Sequence, residues 1–536
     1  MGSTSLVMQD HVIPLGLSAG HGQTKLPEPA ALRLPTGLNN VIVLQTIIAL
    51  AGFISAAAIL VFGLAQAWLA YLYRRSKNTN TTMEIPAPWS GDYPTVLIQL
   101  PIFNEQYVVE RLLRNVAMID YPKDKLSIQL LDDSNDETCV IAERVTNELR
   151  QAGHNVSHVQ RPDHVGFKAG ALEYGMGLDK AEFIAIFDAD FLPRPDFVKR
   201  VLAYFADPKV GMVQTRWEHL NADYSVLTRM MAFAIDNHFS VEHGGRQASN
   251  SFINFNGTGG MWRRKTIEQA GGWKSDTLTE DLDLSFRSQI LGWKFIFAEN
   301  ITTPSELPVQ MSAVRSQQFR WTKGAAETGR KTLSNLWGSN AELGTKVMGS
   351  FHMLNSFIFL FLFLFGLATA IVPFLGMAHY TEYAVALNVM ITTSMLATIF
   401  TYWTSQRSGD FTQNKTAPWN VLSTTFTFTA LVTGLCLHCS RAVIQGVMGK
   451  ATPFVRTPKL NIMAADAQVK TKHAYAITAI PLVVIFEAAL AVAFSGLFVT
   501  GTMTAQASSL FIGVYIFYAI GFAVVTYLSL REILSV

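Results

Sequence analysis

Cysteine is scarce in this sequence: Cys139, Cys436 and Cys439 are the only three among 536 residues. That number excludes a disulfide framework. Cys436 and Cys439 flank Leu437-His438, a spacing that suits no common zinc site, and they read as small residues on a membrane-associated helix. A surplus of one charge is missing too. Lys plus Arg total 42 and Asp plus Glu 40, a net charge of +2, which gives no basis for nucleic-acid binding. Charge of either sign is sparse at 15% and unevenly placed. Residues 41–73 carry none, 351–403 carry only Glu382, and 474–530 carry only Glu487. A bilayer-spanning helix needs about 20 mostly apolar residues, and each block offers that or more. The first 40 residues lack a charged segment leading into a short apolar core. They read as a flexible polar tail over 1–40 rather than a cleavable signal peptide.

The chain is longer than one soluble core usually organises. A first transmembrane helix lies within 41–73, and Arg74, Arg75 and Lys77 follow at once. Positive residues favour the cytoplasmic side, so the charged middle, 85–345, is expected to be a cytoplasmic domain with the N-terminus outside. This domain alternates strand-like runs (Thr95–Leu100, Ser127–Leu131, Phe183–Phe187, Gly211–Thr215, Ser251–Phe255, Lys294–Phe297) with helical stretches such as Val108–Ile119 and Glu137–Ala152. Such alternation predicts a mostly parallel α/β sheet. Ligands of open α/β sheets gather at the carboxyl ends of the strands. Asn104-Glu105, Asp132-Asp133 and Asp188–Asp190 each follow a strand run, so three strand ends should converge on one pocket. Two further spans fit 351–376 and 383–403, then a hydrophilic linker, Ser405–Pro418. The stretch 420–448 either spans or lies in the interface as an amphipathic helix. Two last spans fit about 474–499 and 508–530. Glu487 lies inside one of them, where an ionisable group faces the bundle interior or a cavity. It either lines a polar path or pairs with a neighbouring helix.

The chemistry-bearing residues come in a fixed order. Asp188-Ala189-Asp190 ends the apolar run Phe183–Phe187. Mg²⁺ and Mn²⁺ take hard oxygen ligands and keep places for substrate phosphates, so alternating carboxylates past a strand end can hold a metal and, through it, a nucleoside diphosphate. Taken alone the pair could also be a turn or a helix cap. Asp132 and Asp133 can accept hydrogen bonds from a nucleobase or ribose, and Lys168 can approach a diphosphate as a point charge. Asp281, in Thr279-Glu280-Asp281-Leu282-Asp283, is a candidate general base for an attacking hydroxyl; Glu280 and Asp283 could serve only to cap the helix that follows. Gln317, Arg320 and Trp321 share one helix face. Trp offers a flat apolar surface to a sugar ring and Arg a planar fork to phosphate. Asn256-Gly257-Thr258-Gly259-Gly260 permits close backbone approach of a ligand.

Taken together these residues resemble the processive family 2 glycosyltransferases of the cellulose synthase superfamily. The likeness is greatest to the plant cellulose-synthase-like A and C groups and their bacterial relatives. The stretches that carry it are GFKAGAL at Gly166–Leu172, AIFDADF at Ala185–Phe191, VQTRW at Val213–Trp217, FNGTGGMW at Phe255–Trp262, GGW at Gly271–Trp273, EDLDL at Glu280–Leu284, SELP at Ser305–Pro308 and QQFRW at Gln317–Trp321. They cover about 95–330. A gating loop that reads F-x-V-T-x-K in cellulose synthases has a partial counterpart at Phe454, Thr457 and Lys459, with Arg456 where Val would stand.

The resemblance implies an α/β GT-A domain inserted between transmembrane helices, about five spans, an interface helix over 420–448, a gating-loop-like segment over 452–470 and spans within 474–531. It implies Mg²⁺ or Mn²⁺ held by Asp188 and Asp190. It places Asn104, Glu105, Asp132, Asp133 and Lys168 about a nucleotide sugar, with UDP-glucose ahead of GDP-mannose. Asp281 would be the base, and Gln317, Arg320 and Trp321, with Asn256, Gly257 and Thr258, would meet the acceptor or product. The expected activity is processive, inverting synthesis of a β-linked polysaccharide, β-glucan ahead of β-mannan or glucomannan, with export of the product. Transfer of a single sugar to a lipid acceptor is the alternative, and a non-catalytic conduit a third. Expected partners are the donor, the growing polysaccharide, membrane lipids and an accessory subunit or second copy. The expected membrane is a bacterial inner membrane, or a Golgi or plasma membrane.

Overall fold

A computed structural model describes residues 36–79, 86–375, 380–408, 417–452, 457, 459–463, 480–503 and 511–534. The polar tail over 1–35 and Phe454 therefore lie outside the described residues. The chain divides into two units, Met1–Leu44 and Gln45–Val536. The contacts described below belong to the second.

Helix α1 (Thr36–Asn78) opens the described chain, and its span has no charge until Arg74. The domain follows in the order β1 (Val96–Ile102), α2 (Val109–Val116), β2 (Leu126–Asp132), α3 (Thr138–Gln151), β3 (Val156–Val159), α4 (Phe167–Gly177), β4 (Phe183–Ile186), α5 (Phe197–Leu202), β5 (Val210–His219) and α6 (Val226–Asn237). A π-helical turn, His238–His243, continues α6 into α7 (Gly244–Ala248). Then come β6 (Gly260–Arg263), α8 (Arg264–Gln269), α9 (Glu280–Ile290) and β7 (Lys294–Ser305). The seven strands form one sheet in the order β3-β2-β1-β4-β6-β5-β7. All neighbours are parallel except β6, which runs antiparallel to β4 and β5. The sheet is buried on both faces, with Leu100, Phe183 and Val213 in one apolar layer and Leu97, Ile184 and Met212 in the other. Near-continuous apolar strands are what burial on two faces demands.

The predicted strand at Ser251–Phe255 is not one. Its backbone is satisfied by side chains of α9 instead: Ser285 Oγ accepts from Phe255 N at 2.9 Å, and Gln289 brackets Ile253 N and O at 3.2 and 2.7 Å. A run of apolar residues can be held by a helix flank as well as by a strand, and periodicity does not tell the two apart. Conversely β6 forms in the glycine-rich stretch, where Gly260 sits so close to β5 that a Cβ would lie 2.6 Å from Val213 O.

Six helices among the described residues are long and apolar enough to cross a membrane. They are α1, the pair α11 (Leu343–Leu354) and α12 (Ile358–Ile371), α13 (Tyr380–Ser408), α14 (Pro418–Val447), α15 (Leu482–Met503) and α16 (Ile512–Leu534). This is one more than expected, the addition being α14. Helix α10 (Met311–Gly338) precedes them and carries Gln317, Arg320 and Trp321. Helix α14 runs alongside α10. His438 Nε2 meets Arg315 O at 3.1 Å, and Gly446 lies so near that a Cβ there would be 2.7 Å from Lys323 O. Its other sides pack on α12, where Ser440 donates to Phe359 O at 3.1 Å, and on α16 through Gly434 and Gly521. Glycine pairs of this kind let helix backbones approach closely. Glu487 of α15 is fully buried in a bidentate pair with Arg315 of α10, Arg315 Nη1 lying 2.9 Å from Glu487 Oε1. Of the two readings for Glu487, pairing with a neighbouring helix is the one observed.

Candidate active site

The loop Asn256–Gly259 turns between α7 and β6, and two of its glycines need the left-handed region: φ is +81° at Gly257 and +65° at Gly259. Gln214 of β5 clamps this loop, accepting from Asn256 N at 2.8 Å and donating to Thr258 O at 3.1 Å. Thr258 Oγ1 in turn accepts from Asp188 N at 2.9 Å, which ties the loop to the end of β4. Lys168, in the first turn of α4, reaches across to Asp188 Oδ1 at 2.6 Å and to Gly257 O at 2.9 Å. Helix α9 starts at Glu280, so Asp281 stands in its first turn, and its Oδ1 accepts from Leu282 N at 2.8 Å. The other oxygen faces the loop: a Cβ on Gly257 would lie 2.9 Å from Asp281 Oδ2 and 3.4 Å from Lys168 Nζ. Four segments far apart in sequence thus bring Lys168, Asp188, Gly257 and Asp281 into one cluster.

The electrostatics follow from this crowding. Burial, together with the charge of Glu280, pushes the Asp281 carboxyl up to about 7, against the opposing pull of Lys168. Burial also raises the Glu280 carboxyl. For Lys168, burial disfavours the ammonium, but Asp188, Glu280 and Asp281 outweigh it and hold the group above its usual range. Asp283 belongs to a different environment, fully buried and paired with Arg287 at 2.8 Å and Lys331 at 3.0 Å, a structural role.

Asp190 lies deeper. Lys459 Nζ is 2.7 Å from its Oδ2, and its Oδ1 is buried with no hydrogen-bond partner among the described residues. A buried, unpartnered carboxylate oxygen is costly unless a cation meets it, so Asp190 fits a divalent ion, with Asp188 two residues away. No three His, Cys, Asp or Glu side chains among the described residues cluster as a metal cage. Hard divalent cations are commonly held by one or two carboxylates plus phosphate oxygens. The segment bearing Lys459 is fastened to the domain at four more points: Thr457 Oγ1 to Arg320 at 2.8 Å, Leu460 N to Glu306 at 3.0 Å, Asn461 to Arg111 at 2.6 Å, and Thr452 Oγ1 to Lys323 at 2.6 Å.

At the far strand ends, Asp132 is bonded to His158 at 2.7 Å and accepts from Ser134 N at 2.9 Å. Burial pushes its carboxyl up, but these bonds outweigh it and hold the group below its usual range. Asp133 takes the guanidinium of Arg161 on both oxygens, and Arg161 also donates to Val165 O at 2.9 Å. Asn104, at φ +56°, exchanges bonds with Ser134 and Asn135 across β1 and β2. Glu105 lies beside Lys459, whose ammonium its charge helps to stabilise. Trp321 is 37% exposed on α10, and Gln317 Oε1 is buried with no hydrogen-bond partner among the described residues. Helix α10 is seated against the turn that leads into α9: Gly324 has room only for hydrogen beside Thr279, and Glu327 accepts from Leu278 N at 2.8 Å.

The sequence signals missed His158, Arg161, Arg111, Glu306 and Lys323. Each acts by pairing with a residue distant in the chain, and a lone charged side chain reads as solvated. Phe103 was missed as well. It follows β1 beside Asn104 and is 39% exposed.

Residues 94–324 match the family described as Glycosyltransferase like family 2. This domain belongs to that family. Over 276 residues the chain is 38% identical to a probable glucomannan 4-beta-mannosyltransferase of Arabidopsis thaliana, covering 50% of each. Over 258 residues it is 40% identical to a glucomannan 4-beta-mannosyltransferase of Oryza sativa subsp. japonica, covering 47% of this chain and 49% of that one. The chain thus spans about half the length of the curated relatives it matches. A solved mannosyltransferase from Pyrobaculum calidifontis, in complex with GDP-Man and Mn²⁺, aligns with 74% of this chain and 100% of its own at a TM-score of 0.49 and 17% identity. The matched domain holds every one of the eight stretches on which the resemblance was drawn, and it contains the mixed seven-stranded sheet.

Proposed function

We propose that this protein is a metal-dependent inverting mannosyltransferase that extends a β-linked mannan or glucomannan from a nucleoside-diphosphate mannose. The placing of mannose ahead of glucose reverses the order expected from sequence, and the mannosyltransferase relatives support it. One observation carries the catalytic reading: Lys168, Asp188 and Asp281 meet about Gly257, with the Asp281 carboxyl raised to about 7. A general base works best when its pKa lies near the operating pH.

In this reading Asp281 takes the proton from the attacking sugar hydroxyl. Lys168 faces the diphosphate, released from Asp188 as the donor arrives. Asp188 and Asp190 hold Mg²⁺ or Mn²⁺, which when bound stabilises the departing diphosphate. Asn104, Glu105, Asp132 and Asp133 surround the nucleoside, the last two through oxygens already oriented by His158 and Arg161. Trp321 stacks on the acceptor sugar, with Gln317 and Arg320 on the same helix face. Helix α14 lies in the membrane interface, since it runs along α10 and leads into a segment that binds the catalytic domain at Arg320, Glu306 and Asp190. That segment would have to sit on the far side of the membrane if α14 crossed it. Five spans then remain, with Thr457 and Lys459 at the donor site.

The test is turnover by the full chain in detergent with Mn²⁺ or Mg²⁺, offering GDP-mannose, UDP-glucose, GDP-glucose and UDP-N-acetylglucosamine separately and sizing the product. Long β-mannan from GDP-mannose is expected. A single sugar on lipid, or polymer from UDP-glucose alone, would overturn the respective half of the proposal.

A further inference from the structure

Behind the acceptor loop lies a buried polar network that the reading above does not use. The π-helical turn His238–His243 stacks residues five apart, whereas in an α-helix they would point about 140° away from one another. As a result the His238 and His243 rings lie 4.7 Å apart, at 87° to each other. Both reach the amide of Asn256. His243 Nε2 is 2.9 Å from Asn256 Oδ1, and Asn256 Nδ2 is 2.7 Å from His238 Nε2. Asn254 Nδ2 adds a third bond, to Asn256 Oδ1 at 3.0 Å.

The protonation pattern follows from one fixed end. His238 Nδ1 is 2.9 Å from Glu242 Oε2, and Glu242 also accepts from Arg246 at 3.1 Å and from Gln66 of α1 at 2.8 Å. An ionised carboxylate can only accept, so His238 carries a proton on Nδ1, and Asn254, whose Nδ2 donates both to Phe255 O and to Asn256 Oδ1, leaves the Asn256 Nδ2 facing His238 Nε2. That nitrogen accepts from the Asn256 amide group, which turns the Asn256 oxygen toward His243. The amide is thereby set in one of its two orientations. Its second N–H has no partner among the described residues, and Asn256 is half-buried beside Gly257, the residue in contact with Asp281.

We infer that His238 and His243, pinned by Glu242 through the π-helical turn, are positioning residues that aim the free Asn256 N–H at a hydroxyl of the acceptor sugar. The inference rests on the acceptor assignment of Asn256 made above. It gives a physical reason for the π-helical turn, a less stable geometry that recurs at functional sites, and for the buried charge of Glu242. It also links acceptor binding to α1, since Gln66 shares the Glu242 carboxylate.

The experiment measures binding of β-1,4-linked manno- and gluco-oligosaccharides and, separately, of GDP to the full chain in detergent, alongside turnover. His238→Phe fills the space but has no acceptor nitrogen. It should weaken oligosaccharide binding about tenfold, the scale of one or two lost hydrogen bonds, with GDP affinity unchanged. His238→Gln places an oxygen where Nε2 stood and should recover most of that loss. Glu242→Gln, nearly isosteric, is the second variant should the phenylalanine disturb folding, and it should weaken the oligosaccharide in the same selective way. Oligosaccharide affinity unchanged in both His238→Phe and Glu242→Gln overturns the inference, as does an equal loss of GDP binding. Failure of the mannosyltransferase reading shows differently, as absent turnover of GDP-mannose while the selective loss of oligosaccharide binding persists.

Discussion

The raised carboxyl of Asp281 makes a quantitative prediction about pH. With a pKa of about 7, roughly one tenth of the enzyme carries an ionised base at pH 6 and roughly nine tenths at pH 8. If Asp281 is the base, kcat/KM, which reports the free enzyme, should rise about tenfold between these pH values and then level off. The sign is that of a carboxylate held above its ordinary range: the active, ionised form is lost as pH falls through about 7. The cause is testable apart from the role. Glu280 contributes part of the shift by its charge, so Glu280→Gln should move the acid limb to lower pH. The assay is initial-rate incorporation of labelled mannose at constant ionic strength, with the metal saturating at each pH. A profile flat between pH 6 and 8, or an acid limb that Glu280→Gln leaves in place, would refute the reasoning. The same shift has a stability consequence. A folded-state pKa above the unfolded value means that ionised Asp281 destabilises the fold as pH rises from about 4 to 7. Asp281→Asn should therefore abolish turnover and yet raise the melting temperature at pH 8.

Other outcomes follow from individual contacts. Gly257→Ala places a methyl 2.9 Å from the Asp281 carboxylate on a backbone at φ +81°; turnover should fall about 100-fold, since misplacing a reacting group by about 1 Å has that effect, while nucleotide affinity measured by calorimetry changes little. Asp190→Asn should remove donor-linked Mn²⁺ binding, read by electron paramagnetic resonance, because it takes away a buried carboxylate oxygen that has no hydrogen-bond partner among the described residues and lies two residues from Asp188. Arg315→Met leaves Glu487 buried and unpaired, which should destabilise the protein by about 3–5 kcal/mol. Combining it with Glu487→Leu should restore most of that loss in thermal unfolding, and a double variant as unstable as the single one would contradict the pairing.

Much of the candidate site was legible because its residues follow strand ends. Asp132 closes β2, and Asp188 comes two residues after β4 ends at Ile186. An apolar run that stops at a carboxylate marks such a position without coordinates. The helix face Gln317, Arg320, Trp321 was legible for the same kind of reason, a fixed period. What was not legible depended on partners far along the chain. Ser251–Phe255 has the composition of a strand, but α9 side chains satisfy its backbone. Gly260–Arg263 is not among the strand-like runs of the sequence, yet it becomes β6 because β4 and β5 on either side supply bonds and its glycine lets β5 approach. His158, Arg161 and Glu306 look like surface charges until Asp132, Asp133 and Leu460 are set beside them.

By itself the sequence determined where apolar helices could cross a membrane, that an α/β domain lies between them, and which carboxylates end its strands. Those properties depend on local composition and short-range period. Only the tertiary structure decided that Asp281 meets Lys168 across Gly257, that Glu487 pairs with Arg315, and that a π-helical turn sets two histidines against Asn256. Charge, pKa and amide orientation in a buried site depend on neighbours within a few ångströms, and folding chooses those neighbours without regard to their separation in the chain.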